Sequence, residues 1–277
     1  MGLRIATNVQ SLNGQRTLRN VKRKQSESLE KLSSGQRINK AGDDAAGLAI
    51  SEKLKSNIRG VSQAARNAGD GVSLIQTAEG GMNEVNNILI RLRELSVQSA
   101  SDTVGDKERK YSEMEFQQLV TEVERISTST TYNEKQLLSG EGDEMEFQIG
   151  IYNSEDNDRI KYQPQETNLR AGELGIDGLS VASKDSSQAN LEVIDGALTK
   201  VNTSRAQLGA LQNRLQSTIR NLEVKSENLS AANSRIRDTD IAEETANLAK
   251  SNILTSSSTS VLAQANNSSS QALQLIG

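Results

Sequence analysis

Two stretches of the chain repeat apolar residues every seven positions. In the first, Val61, Ala68, Ile75, Met82 and Leu89 form one row. Ala64, Ala78, Val85 and Leu92 form a second row three residues on, with Gly71 interrupting it. In the other stretch, Ile194, Val201, Leu208, Leu215, Leu222, Leu229 and Ile236 fall seven apart without a miss. Such rows are the a/d seam of a coiled coil, so each stretch predicts a long helix that buries one stripe against a partner. From Val61 to Ser99 the first would run about 60 Å at 1.5 Å per residue. Gly80-Gly81 costs about 1 kcal/mol per glycine relative to Ala. The repeat stays in phase across the pair, so the helix is expected to continue through it.

Weaker patterns surround these helices. Asp43 or Asp44 can cap the start of the first, because a carboxylate accepts hydrogen bonds from the free N–H groups there and suits the positive helix end. Lys107 to Ser127 predicts another helix, with Phe116, Leu119, Val123 and Ile126 on one face. Met145, Phe147, Ile149 and Ile151 alternate with Glu146, Gln148 and Gly150, the period of a strand. Asn153 to Asp158 is a turn-like acidic cluster, and Ile160 and Tyr162 begin a return strand, so a β-hairpin is expected near 143–165. Gly-containing loops should follow to about Gly178, and the polar run Ser127-Thr128-Ser129-Thr130-Thr131 is expected to be a loop.

The ends are thinly apolar. At the start, Ile5, Val9, Leu12, Leu18, Val21, Leu29 and Leu32 are spaced roughly as in a helix. At the end stand Ile241, Leu248, Ile253, Leu254, Val261, Leu262, Leu273 and Ile276 among Ser, Asn, Ala and Gln. Both stretches should be weakly stable alone and need a partner. The fold class expected is mainly α: a long antiparallel coiled-coil or helical rod with a small β-hairpin, both termini paired at one end. Two domains follow. Residues 1–44 with 236–277 form a terminal coiled coil, and 45–177 with 178–235 form a helical domain that holds the hairpin.

Composition narrows the chemistry. The 277 residues include no Cys and no His, which removes thiol nucleophiles, disulfides, Ser-His-Asp triads and His-based metal sites. Aromatics make up 2%, so the core must be built from Leu, Ile, Val and Ala, as suits thin helical bundles. With a single proline, Pro164, little interrupts long helices. The acidic residues Asp143, Glu144, Glu155, Asp156 and Asp158 lack the spacing of a calcium loop and read as a solvated turn. Gly35, Gly42 and Gly47 match no phosphate-loop spacing. The first forty residues are basic, with Arg4, Arg16, Arg19, Lys22, Arg23, Lys24, Lys31, Arg37 and Lys40 against Glu27 and Glu30. No aromatics interleave them, which argues against single-stranded nucleic acid as the partner. Pairing with acidic surfaces of neighbouring subunits fits better. The net charge is −4. No apolar run is long enough to span a membrane, and the start lacks the apolar run of a cleavable secretory signal. No cofactor, no nucleic acid and no membrane insertion are expected.

Several stretches resemble bacterial flagellin. The opening Ile5-Ala6-Thr7-Asn8-Val9-Gln10-Ser11-Leu12 is similar to the family's. So is the whole block from Leu32-Ser33-Ser34-Gly35-Gln36-Arg37-Ile38-Asn39-Lys40 through Gly42-Asp43-Asp44-Ala45-Ala46-Gly47 to Ser51. Near the end, Asp238-Thr239-Asp240-Ile241-Ala242-Glu243-Glu244 and Val261-Leu262-Ala263-Gln264-Ala265-Asn266 match a second signature. The likeness covers about the first 150 and last 100 residues, with many identities in order. The middle is too short for the further outer domains of larger members, so the chain resembles a minimal type. Gly81 departs from the pattern, standing where a small helix former is usual.

The resemblance implies a non-enzymatic structural subunit of the flagellar filament, the motility propeller. It would be exported to the extracellular flagellum without a cleaved signal and would self-assemble through its terminal helices into a helical homopolymer. Ile5, Val9, Leu12, Leu32, Ile241, Leu248, Val261 and Leu262 would carry polymerisation, the terminal pair forming the filament core and the other domain the outer part. An export chaperone, the filament cap and hook-junction proteins are implied partners. Vertebrate Toll-like receptor 5 is a further one, through Arg91, Leu92, Leu95 and Glu115, a patch that can also pack between subunits. A hook–filament junction protein shares such termini, but its likeness around Gly42-Asp43-Asp44-Ala45-Ala46-Gly47 is weaker. An intracellular coiled-coil scaffold would explain the heptads alone. A metalloprotease insert of the kind some members carry is ruled out by the lack of His.

Overall fold

The computed structural model describes residues 7–274, with side chains described as far as 267. In chain order the elements are α1 (Val9–Ser34), α2 (Ala45–Ser99), α3 (Asp106–Ser129), β1 (Thr131–Tyr132), β2 (Lys135–Gln136), β3 (Met145–Gln148), α4 (Glu155–Asp158), β4 (Arg159–Tyr162), α5 (Ala171–Leu174), α6 (Lys184–Arg237) and α7 (Ile241–Gln274). A 3₁₀ turn, Pro164–Thr167, follows β4, with proline where its missing N–H costs nothing. Two compact units emerge, residues 1–57 with 228–277 and residues 58–227. The division falls inside α2 and α6 rather than at their ends, where 44 and 236 would place it. Caps and breaks in a sequence mark where helices stop. They do not mark where one set of packing partners gives way to another.

Within residues 58–227, α2 and α6 run antiparallel. Arg93 pairs with Asp195 at 2.7 Å and Arg205 with Glu79 at 3.9 Å, so rising numbers on one helix meet falling numbers on the other. The seam rows carry this packing. Val61, Ala68, Ile75, Met82 and Leu89 on α2 are wholly buried, as are Ile194, Val201 and Leu215 on α6. Leu208 and Leu222 are nearly so, while Leu229 and Ile236, in the other unit, are half-buried. Phe116 and Val123 of α3 fill the same core, with Leu119 and Ile126 packed on its edge.

Two antiparallel hairpins dock on this bundle. In β3–β4, Met145 faces Tyr162 and Phe147 faces Ile160. The expected acidic turn is instead the one-turn helix α4, and the expected glycine-rich loops hold the 3₁₀ turn and α5. β1–β2 was not expected at all. Its two turn residues, Asn133 and Glu134, both have positive φ (49° and 66°), as a tight hairpin turn requires. Strands of two residues show no alternation, and Asn-Glu is not the usual Asn-Gly signal. The polar run 127–131, expected as a loop, is the end of α3 running into β1.

Glycines on α2 are the notches for these hairpins. A Cβ on Gly60 would lie 2.9 Å from Ile151 Cγ2. One on Gly71 would sit 3.3 Å from the Phe147 ring and 3.2 Å from Leu215. One on Gly81 would meet Thr130 Oγ1 at 2.7 Å and Leu138 Cδ1 at 2.8 Å. The residues that interrupt the helical pattern are therefore where the hairpins reach the helix backbone.

Candidate assembly interface

The ends of the chain form the antiparallel pair α1–α7. Asn8 caps α1 by accepting from Ser11 N at 3.0 Å, and its own Nδ2 donates to Ala265 O at 2.9 Å. Ser11 Oγ donates to Asn266 Oδ1 at 2.8 Å and Gln25 Nε2 to Asn252 Oδ1 at 2.6 Å. The covered positions are Ser11, Gly14, Leu18, Val21, Gln25, Ser28 and Leu32 on α1. They meet Glu244, Leu248, Ser251, Thr255, Ser258, Leu262 and Ala265 on α7. Both sets step by three and four, so the ends carry a heptad seam that an apolar count finds only in part, since Ser, Gly, Thr and Gln hold half of its positions. Small residues let the helices approach closely: a Cβ on Gly14 would lie 3.2 Å from Leu262 Cδ1.

Several of the larger apolar side chains point the other way. Val9, Leu12, Leu29, Ile241 and Leu254 are exposed, and Ile253 and Val261 keep 67% and 62% of their surface in water. Of the residues expected to carry polymerisation, Val9, Leu12, Ile241 and Val261 thus face outward. Leu32, Leu248 and Leu262 are half-buried in the seam of the pair. Ile5 lies outside the described residues.

The breaks before α2 and after α6 are tied together. Arg37 N donates to Arg237 O at 2.6 Å and Thr239 N to Gly35 O at 3.1 Å, where Gly35 takes φ +69° to end α1. Arg37 Nη2 donates to Ile236 O at 2.7 Å, and Arg237 donates to Gln36 and pairs with Glu52. Of the two expected caps, Asp44 is the one that starts α2, accepting from Gly47 N at 2.8 Å. Asp43 instead accepts from Asn39 N and Lys40 N, each at 3.0 Å, and the Lys40 and Asn39 backbone bonds hold its carboxyl below the usual range. A Cβ on Gly47 would lie 2.8 Å from Ile38 Cδ1, so a side chain there would force a neighbour to shift.

The proposed receptor patch divides in two. Arg91 is exposed, pairing with Glu94 at 3.0 Å and Glu115 at 2.8 Å, and these two hydrogen bonds raise its pKa. Leu92 and Leu95 are wholly buried in the core. Spacing put Leu95 beside Arg91, but its side chain turns under the helix, where a partner has no access to it. Ile90, next to Arg91, and Val97 further along α2 are the exposed large apolar residues of this stretch. The acidic residues near the hairpin are a charge network: Lys161 pairs with Glu144, Glu146 and Glu155. No grouping of three or more metal-binding side chains occurs among the described residues.

Paired ends with an outward apolar face, together with a helical bundle dressed in surface ion pairs, define a class: structural proteins that associate with copies of themselves. Sequence comparison names the family. A family model described as the bacterial flagellin N-terminal helical region matches residues 5–143, and one described as the bacterial flagellin C-terminal helical region matches 191–276. The chain is 46% identical over 248 residues to a flagellin of Halalkalibacterium halodurans, covering 90% of each. It is 45% identical over 260 residues to the flagellar filament 30.7 kDa core protein of Treponema maltophilum, again covering 90% of each. The fold matches the crystal structure of Bacillus cereus flagellin with a TM-score of 0.51 at 25% identity, over 61% of this chain and 94% of that one. The chain belongs to the bacterial flagellin family, a family of structural proteins.

Proposed function

We propose that the chain is a structural subunit of the flagellar filament and polymerises through α1 and α7. The observation that carries this is the terminal pair: half of its seam is Ser, Gly, Thr and Gln, and seven large apolar side chains stand on its outside. A two-helix pair exposing Val9, Leu12, Leu29, Ile241, Ile253, Leu254 and Val261 leaves apolar surface to be covered. Stacked copies of the pair supply that cover, and a heterologous contact that does not close generates an open helical filament. Its place of work is the extracellular flagellum, and an export chaperone, the filament cap and hook-junction proteins are its partners. The test is electron microscopy of purified protein grown on filament seeds. Full-length protein elongates the seeds, whereas chains lacking Met1–Asn39 or Arg237–Gly277 stay soluble, helical and monomeric. Long filaments from either truncation refute the assignment to the ends, and a wild type that adds only a short terminal layer marks a junction protein instead.

The same monomer serves as a ligand of vertebrate Toll-like receptor 5 through the surface around Arg91, which the carboxylates of Glu94 and Glu115 hold in place. Filament packing hides that surface, so the assembled form signals poorly. In a reporter-cell assay Arg91→Ala lowers monomer signalling by tenfold or more, an effect of the size seen at interface anchors, where about 1.4 kcal/mol is tenfold. Unchanged signalling leaves Arg91 as an ordinary surface ion pair. Leu95→Ala is no test, since it excavates the core.

A further inference from the structure

The sequence contains one Asn-Gly step, Asn13-Gly14, and it lies inside α1. Asn13 is exposed, and its Oδ1 accepts from Arg16 Nη2 at 3.1 Å. Gly14 is half-buried on the α7 side, where a Cβ would lie 3.2 Å from Leu262 Cδ1. Glycine here lets α1 approach α7 closely, yet it is a poor helix former. It also leaves its own backbone nitrogen unshielded by a side chain and free to rotate once the helix opens.

That nitrogen is a nucleophile within reach of the preceding amide. Gly14 N gives its proton to water and attacks Cγ of Asn13. The N–Cγ bond forms, the Cγ–Nδ2 bond breaks, and ammonia leaves. Water then opens the resulting succinimide at either carbonyl. One product is aspartate. The other is isoaspartate, in which the main chain runs through Cβ and Cγ. Inside a closed helix the first step is blocked. The Gly14 N–H is engaged by the carbonyl four residues back, and helical backbone angles hold the nitrogen away from Cγ. The reaction therefore proceeds only while α1 is open. Around this step Ser11 is covered in the seam and Val9 and Leu12 face outward, so little apolar packing holds the helix shut in a separate chain.

The two products differ in what they do to the pair. An aspartate at this position leaves the backbone intact and stands three residues before Arg16, a favourable spacing for opposite charges on a helix. Isoaspartate adds a carbon to the main chain. It throws the hydrogen-bond ladder out of register at Gly14 and moves that backbone off Leu262, where the approach is closest. We infer that Asn13-Gly14 is a site of spontaneous isoaspartate formation that reacts in the unassembled chain, is protected in the filament, and bars the altered chain from joining it. This rests on the filament reading and adds a chemical limit on how long a waiting subunit stays competent.

The test ages purified monomer and finished filaments side by side in mildly alkaline buffer. Mass spectrometry of the tryptic peptide 5–16 separates deamidation at Asn13 from that at Asn8, and enzymatic methylation of isoaspartate identifies the rearranged product. Monomer should gain isoaspartate at this position at least ~10-fold faster than filament, the ratio that about 1.4 kcal/mol of added local stability gives. When aged monomer is added to seeds, the protein left in solution should be enriched in isoaspartate over the protein in filaments. Asn13→Gln, whose longer side chain closes a ring far more slowly, should elongate seeds after ageing as it does fresh. Fresh Asn13→Asp should elongate them as wild type does. Equal rates in monomer and filament overturn the inference, as does equal isoaspartate in filaments and in solution. Aged Asn13→Gln that fails as aged wild type does overturns it by placing the loss elsewhere, and fresh Asn13→Asp that fails overturns the role of the altered backbone. Fresh wild type that makes no filaments refutes the filament reading instead. The covalent step is then read in the monomer alone, where isoaspartate forming no faster at Asn13-Gly14 than at Asn233-Ser234 of α6 overturns it.

Discussion

Gly80 and Gly81 are neighbours in one helix and should respond oppositely to the same substitution. Nothing lies within 4 Å of a Cβ built on Gly80, whereas on Gly81 it meets Thr130 Oγ1 at 2.7 Å and Leu138 Cδ1 at 2.8 Å. Gly80→Ala should stabilise the protein by about 0.5–1 kcal/mol, the helix-propensity gain of a site that can take the side chain without strain. Gly81→Ala gains the same propensity but overpacks the β1–β2 hairpin against α2, at a cost of about 1–3 kcal/mol, so it should be net destabilising. Thr130 cannot easily yield, because its hydroxyl is bound to Ile126 O at 2.7 Å. Urea unfolding of both variants checks the pair, and equal shifts of the same sign would show that the notch is not there. At this scale the sequence was readable where a residue's role is set by its own repeat: Val61, Ile75 and Leu215 lie in the core as their period required. Leu95 was misplaced because three-and-four spacing names neighbours on a helix surface. It does not say which of them the adjoining helix covers.

Among the elements, the return strand β4 is fixed by one hydroxyl. Tyr162 Oη donates to Leu137 O at 2.7 Å and lies 2.9 Å from Thr167 Oγ1, so it ties β4 to the loop after β2 and to the 3₁₀ turn. Burial lifts its pKa to about 12 from the ordinary 10.0, against a small opposing effect of the Thr167 hydrogen bond. A phenol whose folded pKa lies above its unfolded one stays protonated longer in the fold. Its contribution is complete below pH 10 and is lost as pH rises from about 10 to about 12, at roughly 1.4 kcal/mol for each pH unit crossed. Wild type should therefore lose up to about 3 kcal/mol more than Tyr162→Phe over that interval. The variant itself should cost about 1 kcal/mol at neutral pH. Parallel pH–stability curves for the two would rule out Tyr162 as the titrating group. Period-two alternation announced β3 and β4, since half-buried strands of four residues leave that trace. The two-residue strands β1 and β2 leave none. Their signal is the pair of positive φ angles, which Asn-Glu does not announce.

For the whole molecule, the contrast between the two units sets the order of events. The bundle of residues 58–227 has its seam filled by Leu, Ile, Val and Met, whereas α1–α7 covers Ser11, Ser28 and Ser251. Isolated helices are marginal in water, and their stability in proteins comes from packing an apolar face. With Val9, Leu12, Ile253 and Val261 outside, the pair gains much further packing when neighbours cover it, so ordering of the ends and polymerisation should be coupled. The thin apolar stripes of the ends were legible in the sequence, but their seam was not, because hydrophobicity does not mark a helix contact made through glycine and serine. The basic run of α1 turns this coupling into a measurement. Arg16, Arg19, Lys22, Arg23 and Lys24 are all trypsin sites, and trypsin must unfold a helix locally to cut it. Proteolysis follows the population of the open form when opening is fast. In the monomer these bonds should be cut at least ~10-fold faster than bonds at Arg205, Arg214 and Arg220 of α6, since about 1.4 kcal/mol less local stability is enough for that ratio. In the filament the α1 sites should become at least as resistant as those of α6. Mass spectrometry of fragments against time reads both rates. An α1 as resistant in the monomer as in the filament would show that the pair is already stable alone, and the proposed coupling of folding to assembly would fall.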